Sequence, residues 1–264
     1  MRLKATCTMT IKTPQECPVV AMLRPRSGQA QWMVSETYEL TPWVPTTEYV
    51  DHYGNLCQRF KIPAGEIGID VEVVMETEDE IVTAPGAPAT PIELLPDEAL
   101  VYLLQSRYCP SDKIEDEAST ITDGCAPGYD QVEAVRRWIH ENLKYEYGVS
   151  EATTDALDTL EAGAGVCRDF SHVGIALTRA LKIPARLVVG YLYQLDPMDM
   201  HAWFEAFIDG RWYTFDATQA EPRGGRLVVG YGRDAADVAF LSNYADMEMG
   251  EMNVTVERVD GQTA

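Results

Sequence analysis

Apolar and polar residues alternate along the first eighty positions of the chain. Leu3, Ala5, Cys7, Met9 and Ile11 are separated by Lys4, Thr6, Thr8 and Thr10, the period-two signature of a strand with one buried face. The same alternation runs through residues 31–40, 56–62 and 67–75. Turn-forming clusters separate these runs: Pro25-Arg26-Ser27-Gly28, Tyr53-Gly54-Asn55 and Pro63-Ala64-Gly65. Nothing there sustains a helical period, so residues 1–82 read as a small antiparallel β-sandwich-like domain. Residues 83–96 are proline-rich, with Pro85, Pro88, Pro91 and Pro96. They read as a linker, because proline supplies no backbone N–H to a ladder.

The pattern changes beyond Asp97. A short helix is predicted over 97–105. Val132, Val135, Trp138, Ile139 and Leu143 recur at helical spacing within 130–143. Residues 154–161 read as a helix ended by Gly163 and Gly165, and residues 167–181 as one stopped before Pro184. Strands are predicted over 185–193, 201–208 and 212–216, with a last one over 254–259. Helices followed by an antiparallel sheet give an α+β domain over residues 97–264.

The 264 residues suit one to two domains at about 150 residues each. Lys and Arg number 21 against 42 Asp and Glu, a net charge of −21. Such a surface repels phosphate backbones, so no nucleic-acid partner is expected. No apolar run reaches the ~18 residues of a membrane-spanning helix, and no membrane partner is expected. Met1–Cys7 has no apolar core after its charged residues, so a cytoplasmic location is expected. The six cysteines include no C-x-x-C pair. Free thiols follow, with no zinc site, no calcium loop of the D-x-D-x-D-G kind, and no cofactor.

Cys167, His201 and Asp216 carry the candidate chemistry. Cys167 follows the small-residue loop Gly163-Ala164-Gly165-Val166 and opens a helix. Unpaired N–H groups and the helix dipole there favour the nucleophilic thiolate. Asp209-Gly210 is a two-residue hairpin signal. Centring the turn on it pairs Ile208 with Arg211 and, onward, Trp203 with Asp216. Ala202, Phe204, Ala206, Ile208, Tyr213, Phe215 and Ala217 then form a core face. His201, Trp203, Glu205, Trp212, Thr214 and Asp216 share the other face, with His201 and Asp216 as diagonal neighbours. A helix-start thiol, a histidine and an orienting carboxylate make the thiol form of a nucleophile–base–orienter triad.

Four ordered blocks carry a resemblance. They are residues 164–171 around Cys167, residues 183–191 (Ile183-Pro184-Ala185-Arg186-Leu187-Val188-Val189-Gly190-Tyr191), His201-Ala202-Trp203-Phe204-Glu205, and Trp212-Tyr213-Thr214-Phe215-Asp216-Ala217-Thr218. Together they resemble the transglutaminase-like superfamily over residues 130–220. The front of the chain, with Asp51-His52-Tyr53-Gly54-Asn55, is similar to the β-rich N-terminal domain of bacterial transglutaminase-like cysteine proteases. Lys182 stands where the family usually has glycine, and Ala217 where it usually has proline. The resemblance implies a papain-like or transglutaminase-like core of helices on an antiparallel sheet. It also implies an acyl-enzyme on Cys167, proton transfer by His201 and orientation by Asp216.

The other histidines suit the role of base less well. His172 lies about 140° round the helix from Cys167, His140 reads as a surface or locally satisfied residue, and His52 falls in a turn. Asp199 is near His201 in sequence but sits in a loop, and Asp169 suits a helix cap. Cys167 N–H is one natural oxyanion donor. Gln131, Tyr145 or Tyr147 could supply a second. Tyr145, Tyr147, Trp203 and Trp212 are the candidate substrate-binding residues, the two tryptophans either lining the acyl-binding cleft or shielding the His–Asp pair. The expected substrate is a peptide, a protein or a small amide, hydrolysed by a cysteine peptidase or amidase. The alternatives are acyl transfer to an amine, and a non-catalytic binding module.

Overall fold

The computed structural model describes residues 1–28 and 30–259. The N-terminal strands are β1 (Arg2–Thr13), β2 (Cys17–Ala21), β3 (Gln31–Thr41), β4 (Thr46–Val50), β5 (Leu56–Ile62) and β6 (Gly65–Thr77). Helices follow: α1 (Asp97–Leu100), α2 (Glu115–Ile121), α3 (Tyr129–Asn142), α4 (Ala156–Ala162) and α5 (Cys167–Ala180). Two short strands, β7 (Lys144–Tyr145) and β8 (Ala164–Gly165), flank α4. The chain ends in β9 (Ala185–Leu192), β10 (His201–Ile208), β11 (Arg211–Phe215), β12 (Arg226–Gly232), β13 (Leu241–Asn243) and β14 (Glu248–Arg258). This is the α+β architecture expected, an all-β front half and helices packed on an antiparallel sheet.

The strand pairing redraws the domain boundary. The front half forms two four-stranded sheets, ordered β14-β1-β6-β3 and β13-β2-β5-β4. β14 pairs with β1 and β13 with β2. The last two strands therefore belong to the front sandwich, and the unit expected to span 97–264 stops short of them. The alternation read from the sequence is realised in β1 and β6, where Leu3, Ala5, Cys7, Ile67, Ile69 and Val73 are buried. One continuous apolar core runs through both halves. Tyr191 of β9 crosses between them, and its hydroxyl donates to Leu23 O at 2.9 Å.

The expected linker is an ordered strap. Ala84, Ala87 and Ala89 pack against the core. Ala89 N–H donates to Pro127 O, and Tyr129 N–H to Ala87 O, at 3.2 and 3.0 Å. Gly128 permits this approach: its φ is +115°, and a Cβ there would meet Ala87 O at 2.3 Å. Proline rules out ladder pairing for its own nitrogen but leaves its neighbours free to dock.

The second half is built on the sheet β11-β10-β9-β12, with α5 against β10. Gly174 of α5 sits on the Phe204 ring, where an added Cβ would lie 2.5 Å from Cε1. Phe204 is itself stacked on Phe215, 5.6 Å between centroids, so it has no room to yield. Gly174→Val is therefore expected to destabilise the fold by about 2 kcal/mol, overpacking outweighing the small gain in helix propensity. The urea midpoint at constant m-value measures it. Lys182, after α5, has φ +64°. This left-handed backbone explains why glycine suits the position.

Candidate active site

Three pieces of local structure deliver the thiol. Asp155 caps α4 by accepting from Leu157 and Asp158 N–H at 2.8 and 3.0 Å. Gly163 ends α4 in the left-handed conformation, φ +65°. Asp169 Oδ2 then accepts from Val166 N–H at 2.9 Å, fixing the entry into α5. Gly165 leaves space for this cap, since a Cβ there would lie 2.7 Å from Asp169 Cβ. Arg168 completes the turn by donating to Asp169 Oδ1. Cys167 is thus the first residue of α5, half-buried, with its backbone N–H at the positive end of the helix.

The hairpin has the register expected from Asp209-Gly210. Ile208 pairs with Arg211, and the ladder continues to Phe204 with Phe215. Both turn residues have positive φ, +46° and +78°, as a primed turn requires. His201 and Asp216 accordingly meet: Asp216 Oδ2 accepts from His201 Nε2 at 2.8 Å. The Cys167 side chain lies beside the same ring and adds to its affinity for a proton. Both His201 and Asp216 are buried.

The electrostatics follow from this arrangement. Burial opposes charge on the His201 ring and is the largest single influence. The Asp216 charge and hydrogen bond, with the Cys167 side chain, outweigh it and raise the pKa to about 9. Burial would also neutralise Asp216. The His201 and Arg226 cations and the Thr218 hydroxyl overcome it and hold the carboxyl well below its usual range.

Arg226 and Thr218 are site residues that the sequence reading missed. Arg226 Nη2 donates to Asp216 Oδ2 at 2.9 Å. Thr218 gives Asp216 Oδ1 its N–H and Oγ1–H at 3.0 and 2.7 Å. A threonine two residues after an aspartate is a local turn signal. Arg226 opens an apolar strand, and its charge was the available clue.

Tyr145 lies beside the thiol. Its pairing with Gly165 across β7 and β8 sets the phenol close enough to Cys167 for the two to interact electrostatically. Burial, the Cys167 side chain and Tyr147 push this phenol far above its ordinary pKa. Tyr147 packs edge-on to Tyr145 at 5.5 Å and is exposed. Gln131 is instead engaged at the start of α3, where its Oε1 accepts from Gly128 N–H at 3.2 Å.

The two tryptophans are placed differently from each other. Trp203 is only 1% exposed, packed under the Arg226 guanidinium at 4.8 Å. It shields the His201–Asp216 pair and offers little surface to a substrate. Trp212 stacks on Arg186 at 4.1 Å and lines a cavity of about 410 Å³ with Ile81, Val82, Thr214 and Tyr231. Neither Cys167 nor His201 is among its described walls.

The remaining candidates are placed elsewhere. His172 stacks on Tyr108, and burial lowers its pKa to about 3. Asp199 accepts from Met200 N–H at 2.7 Å. His52 packs at a tilt against Tyr53, 4.0 Å between ring centroids. No helix among the described residues is long and apolar enough to cross a membrane. The described residues also hold no cluster of three or more metal-ligating side chains.

Residues 115–217 match the profile of the Transglutaminase-like superfamily, and residues 13–78 that of the Bacterial transglutaminase-like N-terminal region. A crystal structure described as a "putative cysteine protease" from Cytophaga hutchinsonii is 31% identical. It superposes with a TM-score of 0.94, covering 100% of this chain and 92% of that one. The uncharacterized protein ML0607 of Mycobacterium leprae is 28% identical over 254 residues, 90% of each chain. Mb2599c of Mycobacterium bovis is 33% identical over 138 residues, 46% of this chain and 44% of that one.

Proposed function

The chain belongs to the transglutaminase-like superfamily, and on that premise we propose that it is a thiol-dependent acyl-transfer enzyme that hydrolyses a peptide or amide bond. The observation that carries this reading is the buried His201–Asp216 pair with Cys167, at the start of α5, beside it. Cys167 attacks the substrate carbonyl as a thiolate paired with imidazolium. The tetrahedral oxyanion takes up the Cys167 N–H, with the Tyr145 phenol as second donor after it turns its proton toward that oxygen. His201 then passes its proton to the leaving amine, giving a thioester on Cys167. Water, deprotonated by His201, hydrolyses the thioester and restores the thiol. Asp216 holds Nε2 throughout, so Nδ1 is the nitrogen that exchanges protons with the substrate. The six free cysteines suit a reducing compartment, and the cytoplasm is the proposed location.

Partition of the acyl-enzyme tests the reaction class. With a glutamine-containing peptide library and excess dansylcadaverine, mass spectrometry is expected to show mainly hydrolysed peptide, with an acyl adduct on Cys167 after acid quench. Abundant dansylated peptide would replace hydrolysis with transamidation. No adduct and no product from any peptide would support a binding module instead.

A further inference from the structure

Asp216 stands one residue beyond β11, where the sheet ladder no longer fixes the backbone. Two side chains of α3 reach the turn that follows it. Ala217 O accepts from His140 Nδ1 at 3.0 Å. A carbonyl can only accept, so Nδ1 carries the proton. Gln219 O accepts from Arg136 Nη1 at 2.9 Å. The two pinned carbonyls flank Thr218, whose N–H and hydroxyl hold Asp216 Oδ1.

The helix is suited to this task. Positions 133, 136 and 140 follow the i, i+3, i+7 spacing and share one face. Glu133 grips Arg136 through Nε and Nη2 at 2.7–3.0 Å, which orients Nη1 toward the turn. Val132, Val135 and Ile139 are fully buried and anchor α3 in the core. The turn is thereby tied to a rigid element.

We propose that Arg136 and His140 are positioning residues: they fix the Asp216–Gln219 turn so that the Asp216 carboxylate stays on His201 Nε2. This rests on the reading of Cys167 and His201 given above. The groups facing His201 are Asp216 from the end of β11 and Cys167 from α5. Those facing Asp216 are His201 from β10 and Arg226 from β12, with Arg223 from the preceding loop and Arg136 from α3 farther out.

The test follows the His201 ring directly, by nitrogen-15 NMR of histidine-labelled protein against pH, with His201→Ala for assignment. In the unaltered chain His201 is expected to titrate near 9. In His140→Ala the midpoint falls by about half a unit or more, as the carboxylate drifts from the ring. His140→Asn, which keeps an N–H donor, restores it. Arg136→Lys, which keeps the charge but loses the fork, lowers it. Hydrolysis of p-nitrophenyl acetate, used as an acyl probe, falls about tenfold in kcat in His140→Ala, with KM nearly unchanged. A loss of packing alone would lower the folded fraction without moving the His201 midpoint. Variants that all titrate with the unaltered chain near 9 would overturn the proposal. An unaltered chain in which His201 titrates at 6.5 would instead overturn the reading of the site. Should His140→Ala fail to fold, His140→Asn and Arg136→Lys decide the matter by the same midpoint.

Discussion

Cys167→Ala is expected to abolish acyl transfer and leave the fold in place. Removing a nucleophile that acts with its base as a unit lowers kcat by about 10⁴-fold or more. The structural cost is small. The thiol is half-buried at the first residue of α5, and Val173, Ile175, Ala176 and Leu177 remain to hold the helix in the core. Tm is expected to change by no more than about 4 °C. Cys167→Ser, measured beside it, separates loss of the sulfur nucleophile from loss of volume. A folded alanine variant that still turns over substrate would reject Cys167 as nucleophile.

Asp216→Asn carries the second-largest effect. The side chain keeps its shape but loses the charge that holds His201 near 9. kcat is expected to fall by about 10³–10⁴-fold. The high-pH limb of the activity profile moves down from near 9 toward the ordinary histidine value of about 6.5. Stability shifts as well. In the unaltered chain His201 is more basic folded than unfolded, so its contribution is full below about 6.5 and is lost as pH rises through about 9. Asp216→Asn flattens that dependence in urea unfolding between pH 6 and 9.5. It also leaves Arg226 buried without its carboxylate, lowering stability overall by about 3 kcal/mol. A variant with an unmoved high-pH limb would show that Asp216 does not set the His201 proton affinity.

The hairpin that carries His201 and Asp216 was readable because everything that specifies it is local. Asp209-Gly210 sets the loop length, and period-two alternation assigns each side chain to a face. The helix behind Cys167 was readable for the same reason. The face assignment left one thing open, the depth of cover over each side chain. All of β10 is buried on both sides, because Trp203 is covered by Arg226 and Phe207 by Leu95 and Ala99. Trp203 of that face is therefore covered, while Trp212 and Thr214 line the cavity described above. β12 escaped notice because Gly230 and Gly232 interrupt its apolar run, and glycine weakens a strand signal. Those glycines are needed: a Cβ on Gly230 would meet Val238 at 2.9 Å, and one on Gly232 would meet Asp237 at 2.8 Å. The return of β13 and β14 to the front sandwich was not readable, since no local pattern names a partner so far away. The strap has the same cause, its contacts resting on Gly128 across the fold.

The pairing of β1 with β14 bears on how the protein comes to exist in a cell. Thr6 and Thr255 touch across this ladder, 249 positions apart. During synthesis the first strand emerges long before its neighbour, with one row of N–H and C=O groups unanswered. The whole second half must be made in the interval. Unsatisfied strand edges seek other chains, and contacts this distant slow folding. A nascent chain stalled before Glu248 therefore exposes the β14-facing edge of its first strand, the kind of edge that invites aggregation.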